Sequence, residues 1–208
     1  MLPFFAIVIG SYLIGSIPAG YLAGRIAGID IRKEGSGNIG ATNVMRVLGK
    51  GYGYPVFAFD FLKGLAAVTI SILIGRLVNP ASTPMELFGM IGAVSSVIGH
   101  SFPIWLKFKG GKGVATSAGA LFGLMPIVAV IGALIWIVVF FLTRYVSVAS
   151  ITAAMALPIV IVVVTSGSDS SGGALFYFSV GIALLVILRH RSNLSRLIHG
   201  TEPRFTRK

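Results

Sequence analysis

Residues 113–142 read GVATSAGALFGLMPIVAVIGALIWIVVFFL, a stretch of thirty residues without a charged side chain. At about 1.5 Å per residue, a single helix of this length would reach about 45 Å, well beyond the roughly 30 Å hydrocarbon core of a bilayer. Gly123 and Pro126 stand near its middle, and proline breaks a helix because it lacks a backbone N–H and clashes with the preceding turn. We therefore predict two short helices here instead of one long span.

The rest of the chain has the same membrane character. Of its 208 residues, 55% are hydrophobic and 11% are charged, and the mean hydropathy is +0.92. This composition excludes an ordinary soluble domain. Further apolar segments lie near residues 2–24, 55–75, 87–106, 148–165 and 174–188. We predict an all-α, polytopic integral membrane protein that forms one domain over residues 1–208.

The positive charges predict the orientation of the chain in the membrane. The 17 Lys and Arg residues outnumber the 6 Asp and Glu residues, an excess that could indicate a nucleic-acid partner. These bases lie in short loops beside apolar segments, where membrane orientation and anionic partners explain them better, so we expect no nucleic acid. Residues 1–24 contain no Lys or Arg, whereas residues 25–50 contain five. If residues 113–142 form two spans, Arg144 and the basic tail lie on the same side of the membrane as those five residues. Basic loops are usually cytoplasmic, so this arrangement predicts seven spans, an external N-terminus and a cytoplasmic C-terminus.

Two glycine-rich segments interrupt the apolar pattern. Residues 35–43 read GSGNIGATN and residues 107–117 read KFKGGKGVATS. Glycines allow the backbone to turn its N–H groups toward an anion, and Lys112 stands at a predicted helix start, where the helix dipole also favours one. The second segment is not a Walker loop, because Gly113 follows Lys112 where that motif needs Ser or Thr. Both segments predict phosphate sites at the membrane surface. Glycine-rich turns also occur in membrane proteins with a purely structural role. Lys107, which flanks an apolar segment, fits an anchor that fixes the topology.

A third polar segment runs from Arg189 to Glu202. His190 and Asn193 are three residues apart, so they share a face if they lie on one helix, and their donors suit a phosphate or a hydroxyl. Ser147 and Ser150 open a predicted helix nearby. The chain has no cysteine, which excludes thiolate catalysis and cysteine-ligated metal, and we expect neither a metal nor a cofactor.

Three ionisable residues fall within or at the end of apolar segments. Asp60 and Lys63 are three residues apart, so they can pair across one helical turn, either as a structural ion pair or as functional groups. His100 ends an apolar segment, where a hydrogen-bonded structural role is the more common one.

The three polar segments resemble the motifs of the bacterial acyl-phosphate:glycerol-3-phosphate acyltransferases. The matching runs are GSGNIGATNVMR (35–46), GHSFP (99–103) with FKGGKGVAT (108–116), and RHRSN (189–193) with RL (196–197) and GTE (200–202). The resemblance spans nearly the whole chain. It implies a seven-helix enzyme of the bacterial inner membrane with its active site facing the cytoplasm. It also implies transfer of a fatty acyl group from acyl phosphate to the 1-hydroxyl of sn-glycerol 3-phosphate, giving lysophosphatidic acid and orthophosphate. The expected partners are these two substrates and membrane lipids.

The same resemblance assigns roles to residues. The expected catalytic set is Ser36, Arg46, Lys112, His190 and Asn193, which would hold glycerol 3-phosphate together with Ser147 or Ser150. The run from Gly37 to Thr42 would cradle the acyl phosphate. The full expected substrate-binding set is Gly37, Asn38, Gly40, Ala41, Thr42, Asn43, Gly110, Gly111, Gly113, Thr116, Ser147 and Ser150.

The reaction itself needs little from the protein beyond positioning. Acyl phosphate is a mixed anhydride with a good leaving group, so a bound hydroxyl could attack it directly. The His-x4-Asp pair of other glycerol phosphate acyltransferases is absent from this sequence, and the proton acceptor could be His190 or a substrate phosphate.

The alternative function is a membrane transporter of organic phosphates. Transporters usually bind near the midplane and often contain repeats, whereas these motifs gather at one face and no long repeat is present.

Overall fold

The computed structural model describes residues 2–78, 83–166 and 172–205, so Arg207 and Lys208 of the basic tail lie outside the described residues. The described chain forms ten α-helices and two short 3-10 helices, which confirms the all-α class. The α-helices are α1 (Leu2–Ser16), α2 (Ala19–Ile26), α3 (Ala41–Leu48), α4 (Lys50–Val78), α5 (Met85–Ser101), α6 (Val114–Leu124), α7 (Pro126–Thr143), α8 (Val146–Thr165), α9 (Gly172–Arg189) and α10 (Arg191–Ile198). The 3-10 helices are Ile31–Lys33 and Ile104–Leu106.

Five helical segments of the described chain are long and apolar enough to cross a membrane. They are Leu2–Ile26, Lys50–Val78, Met85–Leu106, Pro126–Thr143 and Val146–Thr165. A sixth is obtained if Gly173–Arg189 and Arg191–Ile198, which meet at 57°, form one bent span. The protein is therefore a multi-pass membrane protein, while the seventh span and the orientation stay predictions.

The predicted break in residues 113–142 is confirmed. Helix α6 ends at Leu124 and α7 begins with Pro126, which occupies the first helical position, where a missing N–H removes no intrahelical hydrogen bond. Helix α6 has 11 residues, so it rises about 16 Å, roughly half the thickness of the hydrocarbon core. It is too short to cross a bilayer upright.

The chain divides into two compact units, Met1–Leu124 and Met125–Lys208. In the first unit, glycines bring helix backbones into direct contact. A Cβ atom at any of four glycines would clash with the backbone of a neighbouring helix: Gly15 with Ser96, Gly99 with Tyr12, Gly64 with Thr116, and Gly119 with Phe61. Small residues of this kind are how membrane helices approach closely. They join α1 to α5 and α4 to α6 without an intervening side chain.

In the second unit, α8 packs against both α7 and α9. A Cβ at Gly132 would lie 3.2 Å from the end of the Leu157 side chain, a tight contact that a small shift of that side chain would relieve, and one at Gly181 would meet nothing within 4 Å. The turn between α7 and α8 is made by Arg144, whose φ of 61° is left-handed and whose N–H closes α7 by donating to the Phe140 carbonyl at 2.8 Å. The single-domain assignment stays a prediction.

Candidate active site

The first glycine-rich loop is built around the side chain of Asn43. Asn43 is buried, with 3% of its surface exposed, although it lies in the first turn of α3. Its Oδ1 atom accepts the Ser36 N–H at 2.8 Å, and its Nδ2 atom donates to the carbonyls of Glu34 at 3.0 Å and Asn38 at 2.9 Å. A longer contact of 3.4 Å reaches the Ile31 carbonyl. Asn43, predicted as a substrate ligand, therefore has the contacts of a residue that shapes the loop.

Two glycines let the loop follow this path. Gly35 and Gly37 have φ values of 58° and 70°, in the left-handed region that glycine enters without steric cost. A Cβ at Gly35 would also clash with the Asn43 carboxamide oxygen. A larger residue at Gly35 would therefore displace the side chain that holds the loop.

The loop ends at the N-terminus of α3, where an anion can bind. The Asn38 side chain accepts the Gly40 N–H at 2.8 Å, and Gly40 then caps α3. The N–H groups of Ala41 and Thr42 open the helix, where backbone donors lack intrahelical partners and the dipole favours negative charge. The side chains of Ser36 and Arg46 are exposed. The predicted cradle thus combines backbone donors with two accessible polar side chains near it in sequence.

The second glycine-rich loop is tied to the end of α5. The carbonyl of Ser101 accepts the Gly110 N–H at 3.2 Å, and the carbonyl of His100 accepts the Gly111 N–H at 3.1 Å. Gly113 has a φ of 79° and directly precedes α6. Lys112 therefore stands two residues before a helix, half-buried, in agreement with the predicted helix start.

Other predicted residues of this segment have different surroundings. Lys107 is exposed, as expected for a topology anchor. Thr116 is fully buried, and its carbonyl lies where a Cβ of Gly64 would be. Thr116 was predicted to bind substrate, but its position suits the packing of α4 against α6 better.

In the second unit, the carboxylate of Glu202 is the centre of a polar cluster. Its Oε1 atom accepts the Ser147 hydroxyl at 2.7 Å and the Asn193 Nδ2 at 2.6 Å, and its Oε2 atom accepts the Arg196 Nε at 2.8 Å. Burial acts to raise the pKa of Glu202, but the hydrogen bonds from Asn193, Ser147 and Arg196 outweigh it and hold this pKa below its usual value. Glu202 is therefore a carboxylate anion at neutral pH.

His190 lies at a kink. The condition under which His190 and Asn193 would share a helical face is not met, because His190 lies between α9, which ends at Arg189, and α10, which begins at Arg191, and the helices meet at 57°. Both side chains are nevertheless buried, with 3% and 7% of their surface exposed. The His190 Nδ1 lies 2.8 Å from the Val186 carbonyl. Since a carbonyl can only accept, this contact requires a proton on Nδ1.

The two serines predicted as alternatives, Ser147 and Ser150, have different partners. The Ser150 hydroxyl donates to the Val146 carbonyl at 2.8 Å and accepts the Trp136 indole N–H at 3.0 Å. Ser150 is thus engaged in the packing of α7 against α8. Of the pair, Ser147 is the one that joins the cluster around Glu202.

Comparison with known proteins identifies the chain. The sequence profile described as Glycerol-3-phosphate acyltransferase matches residues 5–200. The chain belongs to the glycerol-3-phosphate acyltransferase family. It is accordingly an acyltransferase, as predicted. The glycerol-3-phosphate acyltransferase of Synechococcus elongatus is 43% identical over 205 residues, which are 98% of this chain and 95% of that one. The Aquifex aeolicus enzyme of the same description is 41% identical over 199 residues, covering 96% and 97%.

Solved structures of this acyltransferase family have the same fold. The crystal structure of PlsY, an integral membrane glycerol 3-phosphate acyltransferase, in its glycerol 3-phosphate form is 39% identical and has a TM-score of 0.84. The match covers 98% of this chain and 96% of that one. The lysophosphatidic acid form of PlsY is 38% identical and has a TM-score of 0.82, covering 98% and 95%.

Within this acyltransferase, the structure joins some predicted residues directly and adds one that sequence reasoning missed. It links Ser36 to Asn43 in the first unit, and Ser147 to Asn193 through Glu202 in the second. Glu202 was part of a matching motif but was not predicted as a site residue. The available signal was that it is the sole acidic residue among six bases in residues 189–208. The described ranges contain no group of three or more His, Asp or Glu side chains arranged to hold a metal ion.

Proposed function

We propose that the protein transfers a fatty acyl group from acyl phosphate to the 1-hydroxyl of sn-glycerol 3-phosphate, forming lysophosphatidic acid and orthophosphate. The observation that carries this proposal is the similarity, across nearly the whole chain, to PlsY structures in a glycerol 3-phosphate form and a lysophosphatidic acid form. Features of the sequence support the proposed acyl donor. The chain has no cysteine and no His-x4-Asp pair, but it has glycine-rich loops whose backbone donors suit a second phosphate.

The proposed roles divide between substrate anions and substrate hydroxyls. Ser36, Arg46 and Lys112, with His190 and Asn193, bind glycerol 3-phosphate. The first loop from Gly37 to Thr42 binds the acyl phosphate through backbone N–H groups at the start of α3. The backbone of the second loop, at Gly110, Gly111 and Gly113, supports Lys112.

The bonding around Glu202 narrows what Ser147 can recognise. A serine hydroxyl has one hydrogen, and that of Ser147 is donated to Glu202. Ser147 can therefore offer a substrate only acceptor lone pairs, which suit a glycerol hydroxyl and repel a phosphate oxygen. We assign Ser147 to a glycerol hydroxyl, and the arginine and lysine side chains to the phosphate.

The proposed reaction is a direct acyl transfer. The oxygen of the glycerol 1-hydroxyl attacks the acyl carbon, the bond from that carbon to the phosphate oxygen breaks, and orthophosphate leaves with the bonding electrons. The hydroxyl proton passes to His190 Nε2 or to a phosphate oxygen of a substrate. The anion-binding groups stabilise the negative charge that develops on the departing phosphate, so the enzyme needs no nucleophile of its own.

We further propose that the protein lies in a bacterial inner membrane with seven spans, an external N-terminus and an active site open to the cytoplasm. The one-sided distribution of basic residues supports this orientation. A soluble phosphorylated substrate and a donor with a fatty tail both have access to a site at that surface.

The test is a two-substrate assay on purified protein. With labelled glycerol 3-phosphate and acyl phosphate, we expect lysophosphatidic acid and orthophosphate in equal amounts, and little product when acyl-CoA of the same chain length replaces the donor. Mass spectrometry should find no acylated protein when glycerol 3-phosphate is withheld, and Arg46→Ala should serve as an inactive control. Equal use of acyl-CoA, or a protein-bound acyl group that turns over, would contradict the mechanism. Uptake of glycerol 3-phosphate into proteoliposomes without acyl transfer would favour transport instead.

A further inference from the structure

Three ionisable side chains are buried together in the first unit, outside the residues assigned to substrate. Asp60, Lys63 and His100 have 2%, 5% and 5% of their surface exposed. We call them the buried cluster. The Lys63 Nζ lies 2.7 Å from the Asp60 Oδ1, and the His100 Nδ1 lies 3.4 Å from the same oxygen. Charged groups are costly in the apolar interior of a membrane protein, and where they persist a function is the first expectation.

The lysine of the buried cluster is attached to a helix break. Its Nζ donates to the Ile17 carbonyl at 2.8 Å. Helix α1 ends at Ser16, and Pro18, which has no N–H to donate, separates it from α2. Lys63 thus connects the buried cluster to the interruption of the first span, which gives its charge a second polar partner.

The histidine of the buried cluster contacts the second glycine-rich loop twice. Its carbonyl accepts the Gly111 N–H at 3.1 Å. Its ring lies against the Gly111 Cα, so that a Cβ at Gly111 would clash with the His100 Nε2. The next residue of the loop is Lys112, and α6 begins two residues after it. The ring of His100 therefore supports the backbone that carries the proposed phosphate-binding lysine.

We propose that Asp60, Lys63 and His100 form a positioning device for Lys112. The Asp60 Oδ1, 3.4 Å from the His100 Nδ1, orients the ring under Gly111 by charge, while Lys63 neutralises the charge of Asp60. An ion pair that only stabilised α4 would not need a third member on α5. The inference rests on the proposed function, because it takes Lys112 to bind a substrate phosphate.

Two paired substitutions separate positioning from stability. Asp60→Asn with Lys63→Met removes both charges but keeps a polar oxygen facing His100, whereas Asp60→Leu with Lys63→Met removes that oxygen as well. Replacing a buried ion pair by apolar residues of similar volume is often neutral for folding, so the Leu/Met protein should keep a Tm close to wild type, and Tm is measured for both proteins. Ser71→Ala is the matched control, since it removes the buried hydroxyl contact of 3.2 Å between Ser11 and Ser71 on α1 and α4.

We expect the Leu/Met protein to lose about 10- to 100-fold in kcat/KM for glycerol 3-phosphate, the scale for a misplaced binding group. The Asn/Met and Ser71→Ala proteins should stay within about twofold of wild type. In a Lys112→Ala background, the Leu/Met change should add no more than about twofold, because the group it positions is absent. The same large loss in that background, or wild-type activity of the Leu/Met protein, would overturn the proposal.

A second readout does not depend on catalysis. The chain has no cysteine, so a spin label at Lys109→Cys, an exposed position of the loop, reports loop mobility alone. Its mobility should rise in the Leu/Met protein, and also in His100→Asn, which keeps a polar side chain facing Asp60 but removes the ring edge from Gly111. An unchanged spectrum in His100→Asn would overturn the proposal even if the Leu/Met protein fails to fold. Absence of acyl transfer by the wild-type protein would instead refute the proposed function.

Discussion

Replacement of Asn43 tests whether one buried side chain organises the first loop. Asn43→Ala removes three hydrogen bonds of 2.8–3.0 Å, to the Ser36 N–H and to the carbonyls of Glu34 and Asn38. The contact of 3.4 Å with the Ile31 carbonyl is too long to contribute much to stability, so it is left out of the sum. At about 0.5–1.5 kcal/mol of net stabilisation each, the loop should lose about 1.5–4.5 kcal/mol.

The assay is hydrogen exchange at the Ser36 amide in detergent, alongside kcat/KM for acyl transfer. The calculated loss corresponds to exchange that is about ten to a thousand times faster, since about 1.4 kcal/mol is a factor of ten. Asn43→Asp is the isosteric comparison, because it keeps an acceptor for Ser36 but turns a carboxylate oxygen toward two carbonyls, and it should also impair activity. If Asn43→Ala lowers activity while Ser36 exchanges as in the wild type, Asn43 contacts substrate and does not organise the loop.

Three further predictions concern single side chains. Lys112→Ala should cost about 2–4 kcal/mol of transition-state binding, measured as kcat/KM, and Lys107→Ala much less; near-normal activity of a folded Lys112→Ala protein would remove this residue from the site. Glu202→Gln removes the charge paired with Arg196 and should lower Tm. Because the folded pKa of Glu202 lies below the ordinary value of about 4.3, its stabilisation is complete above that pH and is lost as the pH falls through the folded pKa. A Tm difference between wild type and Glu202→Gln that does not shrink in acid would refute this. A cysteine at Arg144 should react only with reagents that reach the cytoplasm, and labelling from outside would exclude seven spans.

The features that sequence predicted well are those decided by local chemistry. The break before Pro126 follows from one residue that cannot continue a helix, and the structure places it there. Likewise, the Asp60–Lys63 pair follows from spacing along one helix. The glycine-rich loops could be recognised because clustered glycines outside a helix indicate backbone turns, or places where the backbone comes close to another group.

The features that sequence missed depend on contacts between distant parts of the chain. Ser147 and Glu202 are 55 residues apart, and no local pattern indicates that their side chains meet. The approach of His100 to Asp60 depends in the same way on how α5 packs against α4. Spacing alone also cannot reveal the kink at His190, which lies between α9 and α10.

The glycine contacts of the first unit have a consequence for mutational scanning. Every substitution of glycine adds a Cβ, so at Gly15, Gly64, Gly99 and Gly119 even alanine would push two backbones apart. We expect these four positions to tolerate as few replacements as the substrate-binding residues, although they touch no substrate. Intolerance would therefore not map the active site in this unit. Gly181, which has open space beside it, should accept alanine and is the control for a glycine without close neighbours in the same experiment.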